Sequence, residues 1–105
     1  MQDNDSEILN ILSEECAEVI QAISKIHRFG FDSCHPNTPE KNNIDHLTEE
    51  LGDLQCMINL LVKKMVISQT ERDEAAEAKL EKLRQWSNIR GEQQMPYVWE
   101  FRSHS

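Results

Sequence analysis

Two long stretches of the sequence carry apolar residues at alternating spacings of three and four. In the first stretch, about residues 6 to 29, these positions are Leu9, Leu12, Cys16, Val19, Ile23 and Ile26. In the second, about residues 44 to 67, they are Ile44, Leu47, Leu51, Leu54, Ile58, Leu61 and Met65. A helix brings positions with this spacing onto one face. The pattern predicts two amphipathic helices and an all-α fold.

Short signals indicate where these two helices begin and end. Gly30 is a natural stop for the first helix, and its start can be capped by any of Asp3, Asn4, Asp5 and Ser6. Residues 30 to 43 are rich in Gly, Pro and Asn, which is typical of a connecting loop. Thr38 followed by Pro39 is also compatible with an earlier start of the second helix.

A third helix is expected over about residues 71 to 89. Thr70 and Asp73 have the spacing of a capping box, and the positions expected to face inward are Ala76, Leu80, Leu83 and Trp86. The tail at 91 to 105 contains Met95, Tyr97, Val98, Trp99 and Phe101. Because these side chains are too apolar to be left in water, we expect the tail to pack on its own subunit or on a neighbour.

The length of the chain limits how much apolar surface it can bury. With 105 residues and 38% hydrophobic residues, it has the size and composition of one globular domain, which we expect to cover residues 1–105. Three helices cannot easily bury both long apolar stripes within one subunit. We therefore expect a homo-oligomer in which helical hairpins from two subunits form a four-helix core.

Charge and cysteine content exclude several other classes. The net charge of −8 argues against nucleic acid and anionic membranes as partners. The three cysteines are Cys16, Cys34 and Cys56, whose odd number and wide spacing indicate neither a disulfide framework nor a zinc site. The sequence has no basic start followed by an apolar run, so we expect no signal peptide. It has no apolar stretch of about 18 residues, so we expect no transmembrane helix. A cytoplasmic protein is the simplest expectation.

Each of the two striped helices carries a pair of carboxylates in the same register. In EECAEV, Glu15 and Glu18 each precede a stripe residue, and in EELGDL the same is true of Glu50 and Asp53. Side chains three residues apart on a helix are neighbours, so each pair can converge on one ion. Packing the helices antiparallel by their stripes would bring all four carboxylates to one cleft edge.

Such a group of carboxylates needs cations. Two unit charges about 4 Å apart repel by about 4 kcal/mol at an effective dielectric of about 20. Ligand sets made only of oxygen suit Mg²⁺ or Mn²⁺. Gly52, between Glu50 and Asp53, indicates either a neighbouring helix or room for a metal-bound phosphate. Lys25 and Arg28, farther along the first helix, can contact a polyphosphate, although a helix C-terminus also favours positive charge.

The paired ExxE and ExxD motifs, with the runs EECAEVIQAISKIHRFG and HLTEELGDL, resemble the MazG-like all-α nucleoside triphosphate pyrophosphohydrolases. The resemblance covers roughly residues 8 to 66 and is strongest to small, phage-type members. It implies hydrolysis of a nucleoside triphosphate to the monophosphate and diphosphate in dimers or tetramers. It also implies two or more Mg²⁺ or Mn²⁺ ions on Glu15, Glu18, Glu50 and Asp53, with Lys25 and Arg28 as phosphate contacts.

The phage-type resemblance further implies a deoxynucleotide substrate, with dGTP as the leading candidate, and a location in the host cytoplasm. Glu14 and Glu49 lie four residues before Glu18 and Asp53, so either can reach a water as general base or support the metal ligands. His27, His35, His46 and His104 have no standard ligand spacing. The alternative function is a non-catalytic helical adaptor or regulator that oligomerises through its stripes.

Overall fold

A computed structural model describes residues 3–89 of the chain, which contain three α-helices. Helix α1 is Asp3–Phe29, α2 is Asn43–Lys63 and α3 is Gln69–Trp86. Within this described range the β-structure consists of one isolated antiparallel bridge between Cys34 and Asn42. The expected all-α fold is confirmed. No helix in the same range is long and apolar enough to cross a membrane.

Helices α1 and α2 form an antiparallel hairpin that is tied at both ends. At one end, the Asn43 side-chain amide donates to the carbonyl oxygens of Gly30, at 2.9 Å, and Lys25, at 3.5 Å. At the other end, the Lys64 ammonium lies 3.1 Å from the Asp5 carboxylate. The start of α2 therefore lies beside the end of α1, and the end of α2 beside the start of α1. The Asn43 side chain is buried, so its hydrogen bonds make this polar group tolerable in the interior.

The loop between these helices has defined ends. Gly30 ends α1 with a positive φ of 93°, which glycine adopts without strain, and its N–H donates to the Ile26 carbonyl oxygen at 2.7 Å. Asn42 caps α2 and forms a capping box with Asp45. Helix α2 thus begins after Asn42, and the alternative start near Thr38 is wrong.

The last part of α2 and the start of α3 differ from the sequence expectations. Helix α2 ends at Lys63, four residues earlier than expected, and Met65 has a positive φ of 63° and lies outside it. Ser68 caps α3 through the Glu71 N–H, so the expected capping box of Thr70 and Asp73 is wrong. Ser68 is the capping residue, in place of Thr70, because its hydroxyl accepts from the free N–H three residues later.

Helix α3 belongs to the second of two compact units, Met1–Val66 and Ile67–Ser105. In helix α3, Leu80 is buried and Leu83 is half-buried, as expected. Ala76 is exposed and the Trp86 side chain is 82% exposed, so the expected inward orientation of these two residues is wrong. The expected packing of the tail at 91–105 lies outside the described residues, and the single domain over 1–105 stays a prediction.

The hairpin packs through part of each stripe and through residues that lie beside it. Ala22 on α1 and Met57 and Leu61 on α2 are buried, whereas Ile20 is 64% exposed and Leu51 is 46% exposed. Successive helix residues are rotated by about 100°. On α1 the packed row contains Glu15 and Ala22, and on α2 it contains Glu50 and Met57. The carboxylate row, one residue before each stripe, therefore faces the seam between the helices.

Several apolar residues are nevertheless exposed on one side of the hairpin. Cys16 and Leu51 each follow a half-buried carboxylate, Glu15 or Glu50, and so lie about 100° around the helix from it. Because the helices are antiparallel, the same rotation carries these two exposed residues to the same side. The residues exposed there, which we call the open apolar face, are Leu9, Cys16, Ile20, Ile23 and Leu51. The expected packing of the helices by their stripes therefore holds for the buried Leu61 and for half-buried residues such as Val19 and Leu54, and is wrong for Cys16 and Leu51.

Candidate metal centre

The four paired carboxylates converge in the seam of the hairpin. One oxygen atom from each of Glu15, Glu18, Glu50 and Asp53 lies within 4.8 Å of the corresponding atoms of the other three. Glu15 and Glu50, in the packed rows, are half-buried, and Glu18 and Asp53 are exposed. The helices therefore supply two ligands close to the seam and two at its open edge. Four such groups can hold a divalent metal ion.

Two carboxylate oxygens at this site are buried and unsatisfied. They are Oε2 of Glu15 and Oε2 of Glu50, which have no hydrogen-bond partner among residues 3–89. A buried acceptor without a partner is rare, because its lost hydration is uncompensated. Both oxygens belong to the cluster of four. A cation bound there would supply the missing interaction, and the all-oxygen donor set fits a hard ion such as Mg²⁺ or Mn²⁺.

The electrostatics of the cluster favour neutralisation. The pKa of Glu50 is raised to about 7 by hydrogen bonding to Glu18, by burial, and by repulsion from its neighbours. Burial also raises the pKa of Glu15, with further repulsion from Glu18, Asp53 and Glu14. Because folding raises the pKa of Glu50 from 4.5, this group stabilises the metal-free fold below pH 4.5 and loses that contribution as pH rises through 7. A bound cation would oppose the same repulsion.

A polar pocket adjoins the carboxylates and contains one of the expected phosphate contacts. Its volume is about 220 Å³. Its lining residues are Glu18, Gln21, Ala22, Lys25, His46 and Glu50. Lys25 thus borders the same space as one carboxylate from each helix. Arg28 does not line this pocket, and its guanidinium lies 4.9 Å from the centre of the Phe29 ring.

The two candidates for a general base have different surroundings. Glu49 is exposed and forms an ion pair and hydrogen bond with Lys41, and this interaction raises the pKa of Lys41. Glu14 is exposed, and its charge contributes to the raised pKa of Glu15. Neither carboxylate belongs to the group of four that converge within 4.8 Å.

His46 borders the site although the sequence analysis gave it no role. It precedes Glu50 by four residues and is half-buried beside it in the polar pocket. The spacing of four, which places two residues on one helix face, was the signal that could have identified it. Among residues 3–89, and apart from its chain neighbours and the backbone of its own helix, no atom lies within 4 Å of the position that a Cβ atom on Gly52 would occupy. Packing between α1 and α2 therefore does not explain this glycine.

Comparison with known proteins agrees with this geometry. The model of the MazG nucleotide pyrophosphohydrolase domain matches residues 3–88, which include all three helices. Searches of curated proteins and of solved structures gave no significant match. The family match covers most of the chain and contains both carboxylate pairs. The chain therefore belongs to the MazG nucleotide pyrophosphohydrolase domain family.

Proposed function

We propose that this protein hydrolyses a nucleoside triphosphate to the monophosphate and diphosphate, using two or more Mg²⁺ or Mn²⁺ ions held by Glu15, Glu18, Glu50 and Asp53. The observation that carries this proposal is the convergence of these four carboxylates within 4.8 Å, with two buried oxygens left unsatisfied. Membership of a nucleotide pyrophosphohydrolase family makes a triphosphate the natural ligand. A non-catalytic adaptor would have no use for this cluster.

Each part of the site has a distinct role in the proposed reaction. When bound, the ions lower the pKa of a water and stabilise the diphosphate leaving group. Glu15 and Glu50, being half-buried, fix the inner side of the centre, and Glu18 and Asp53 its open edge. Lys25 borders the same space as Glu18 and Glu50, where its ammonium can bind the phosphates. We propose Arg28, one turn farther along α1, as a second phosphate contact.

Proton transfer from the attacking water requires a base close to the centre. Glu14 and Glu49 remain the two candidates, since each lies four residues before a proposed ligand. The Lys41 ammonium already engages a Glu49 oxygen, which lowers the availability of that carboxylate. Glu14 has no such ion pair among the described contacts and is the better candidate. The general base only accepts a proton from the water, so the products are the same whichever carboxylate takes this role.

We propose a deoxynucleoside triphosphate, and dGTP first, as the substrate. This choice rests on the likeness of the EECAEVIQAISKIHRFG and HLTEELGDL runs to small phage-type members of the family. A broad activity that removes several or damaged nucleotides is the second candidate. A dGTP-specific enzyme and a broad one would cleave the same bond. They would differ in how strongly kcat/KM depends on the base of the nucleotide.

We also propose that the protein is a homodimer or homotetramer, assembled through the open apolar face. Ile20 and Leu51 on that face are 64% and 46% exposed, on two helices that direct these side chains to the same side. A second hairpin packed there would complete a four-helix core and remove both stripes from water. Since the carboxylate seam lies about 100° around each helix, the centre would lie beside this interface.

Glu18→Gln and Asp53→Asn should each lower turnover at least about 100-fold, the scale of losing one electrostatic group from an active site. Both ligands are exposed, so the helical content should be preserved, and the metal-free variants should melt at higher temperature because repulsion is reduced. Diphosphate release from the four common dNTPs, dUTP and GTP measures the effect. Glu7→Gln, an exposed change on the same helix, is the matched control. Near-normal turnover in both ligand variants would contradict the proposed centre.

Hydrolysis in heavy-oxygen water should place the label in the nucleoside monophosphate. The ions and Lys25 are proposed to make diphosphate the leaving group, so the water attacks the α-phosphorus. Mass spectrometry of the two products measures the position of the label. Label found only in diphosphate would mean that the water attacks the β-phosphorus, and the proposed orientation of the triphosphate would be wrong.

Ile20→Glu should convert the oligomer into monomer, because it places a charge in the proposed apolar interface. Light scattering of the wild type should give at least twice the chain mass of 12.2 kDa. Asn10→Glu is the control, since Asn10 is exposed on the same helix about 80° away around its axis. A wild type that is monomeric and fully active would rule out this assembly.

A further inference from the structure

A second pocket, which we call the loop pocket, opens where α1 ends and α2 begins. Its volume is about 170 Å³, more than ten times the roughly 10–15 Å³ that one ordered water occupies by such a measure. Phe29, Cys34 and Pro36 provide carbon and sulfur surface, and His35 and Asn43 provide polar atoms. The size and composition suit a planar organic ring better than an ion.

The loop pocket adjoins the polar pocket at the metal centre. Lys25 and His46 line both spaces. Beyond them, the polar pocket reaches Glu18 and Glu50, and the loop pocket reaches the 33–36 segment and Phe29. A ligand with its phosphates at the carboxylates therefore has an adjoining, less polar space for the part attached to those phosphates. In a nucleotide that part is the nucleoside.

Two polar side chains of the loop pocket have defined hydrogen-bonding capacity. Both amide hydrogens of Asn43 are directed to carbonyl oxygens, those of Gly30 and Lys25, and its Oδ1 accepts no hydrogen bond from residues 3–89. Nδ1 of His35 accepts from the Asn37 N–H at 3.0 Å, so the proton of the neutral ring is on Nε2, which donates. The residues that line the pocket thus include an amide oxygen that can accept a hydrogen bond and an imidazole N–H that can donate one.

These properties match a nucleobase. Every base has a flat face that stacks on an aromatic ring, and an edge that carries hydrogen-bond donors and acceptors. Phe29 supplies the ring: the Arg28 guanidinium lies over one of its faces, 4.9 Å from the ring centre, and the side chain is 59% exposed, so a base would stack on the other face. We infer that the loop pocket binds the base of the triphosphate, with Asn43 and His35 determining specificity. This inference rests on the proposed function, since it assumes that the phosphates face the carboxylates.

Filling the loop pocket tests the inference separately from the proposed function. The variant is Cys34→Trp, and the matched control is Cys56→Trp, at an exposed position on α2 outside the pocket. Binding is measured by calorimetry with Mg²⁺ and two probes, a hydrolysis-resistant α,β-imido dGTP and inorganic tripolyphosphate, which has no nucleoside. Cys34→Trp should weaken the nucleotide about 5- to 150-fold, as for loss of one stacked base, and leave tripolyphosphate unchanged.

The outcomes separate the two proposals. If wild type binds neither probe with Mg²⁺, the proposed function fails. If it binds both, and Cys34→Trp weakens neither or weakens both equally, the loop pocket is not the base site although the function stands. His35→Ala provides a second variant should the bulky residue disturb the loop. It should reduce the discrimination among dNTPs in KM without changing inhibition by tripolyphosphate, and unchanged discrimination would overturn the inference.

Discussion

Repulsion among the four carboxylates in the seam of the hairpin is the interaction on which the rest of the molecule depends. Glu15 and Glu50 are directed towards the opposite helix, and one oxygen of each is buried without a hydrogen-bond partner. Hydrogen bonding to Glu18, burial and the neighbouring negative charges together raise the pKa of Glu50 to about 7, so this carboxyl group retains a proton more readily than a free one. Cations held by these carboxylates would neutralise the seam, as the proposed function requires.

The same one-residue offset that produces this seam also leaves apolar surface exposed. Glu15 and Glu50 immediately precede Cys16 and Leu51, so directing these two carboxylates inward leaves the two stripe residues about 100° away and exposed. Ala22, Met57 and Leu61 are the buried apolar residues of the hairpin, which is a small core for two helices of this length. We therefore regard the proposed metal centre and the proposed subunit interface as two results of one packing arrangement.

The features that could be predicted from the sequence are those that depend on position within one helix. The apolar periodicity identified both helices of the hairpin, and the matched register of Glu15, Glu18, Glu50 and Asp53 indicated that they would converge. Helix ends were less predictable. Ser68 and Thr70 are both good capping residues, and Met65 adopts a positive φ that its residue type does not suggest.

Features that require the fold of the loop could not be predicted. The Asn43 amide bonds to Gly30 across thirteen residues of sequence, and His35 is oriented by the Asn37 N–H. Neither contact follows from periodicity. The exposure of part of each stripe was also missed, because a stripe of aliphatic residues normally faces the nearest helix. Here Glu15 and Glu50 share the seam with the stripe, and Cys16 and Leu51 lie on the open side.

Calorimetric titration with Mn²⁺, at about pH 8 and about pH 6, tests the metal centre most directly, because ion and proton compete for the same carboxylates. We predict that the wild type binds Mn²⁺ with release of protons at the lower pH and with higher affinity at the higher pH, where Glu50 is ionised. Glu50→Gln should lose most of the affinity for Mn²⁺ at both pH values. Absence of Mn²⁺ binding at the higher pH, or equal affinity in Glu50→Gln, would contradict the assignment of these carboxylates as a metal centre.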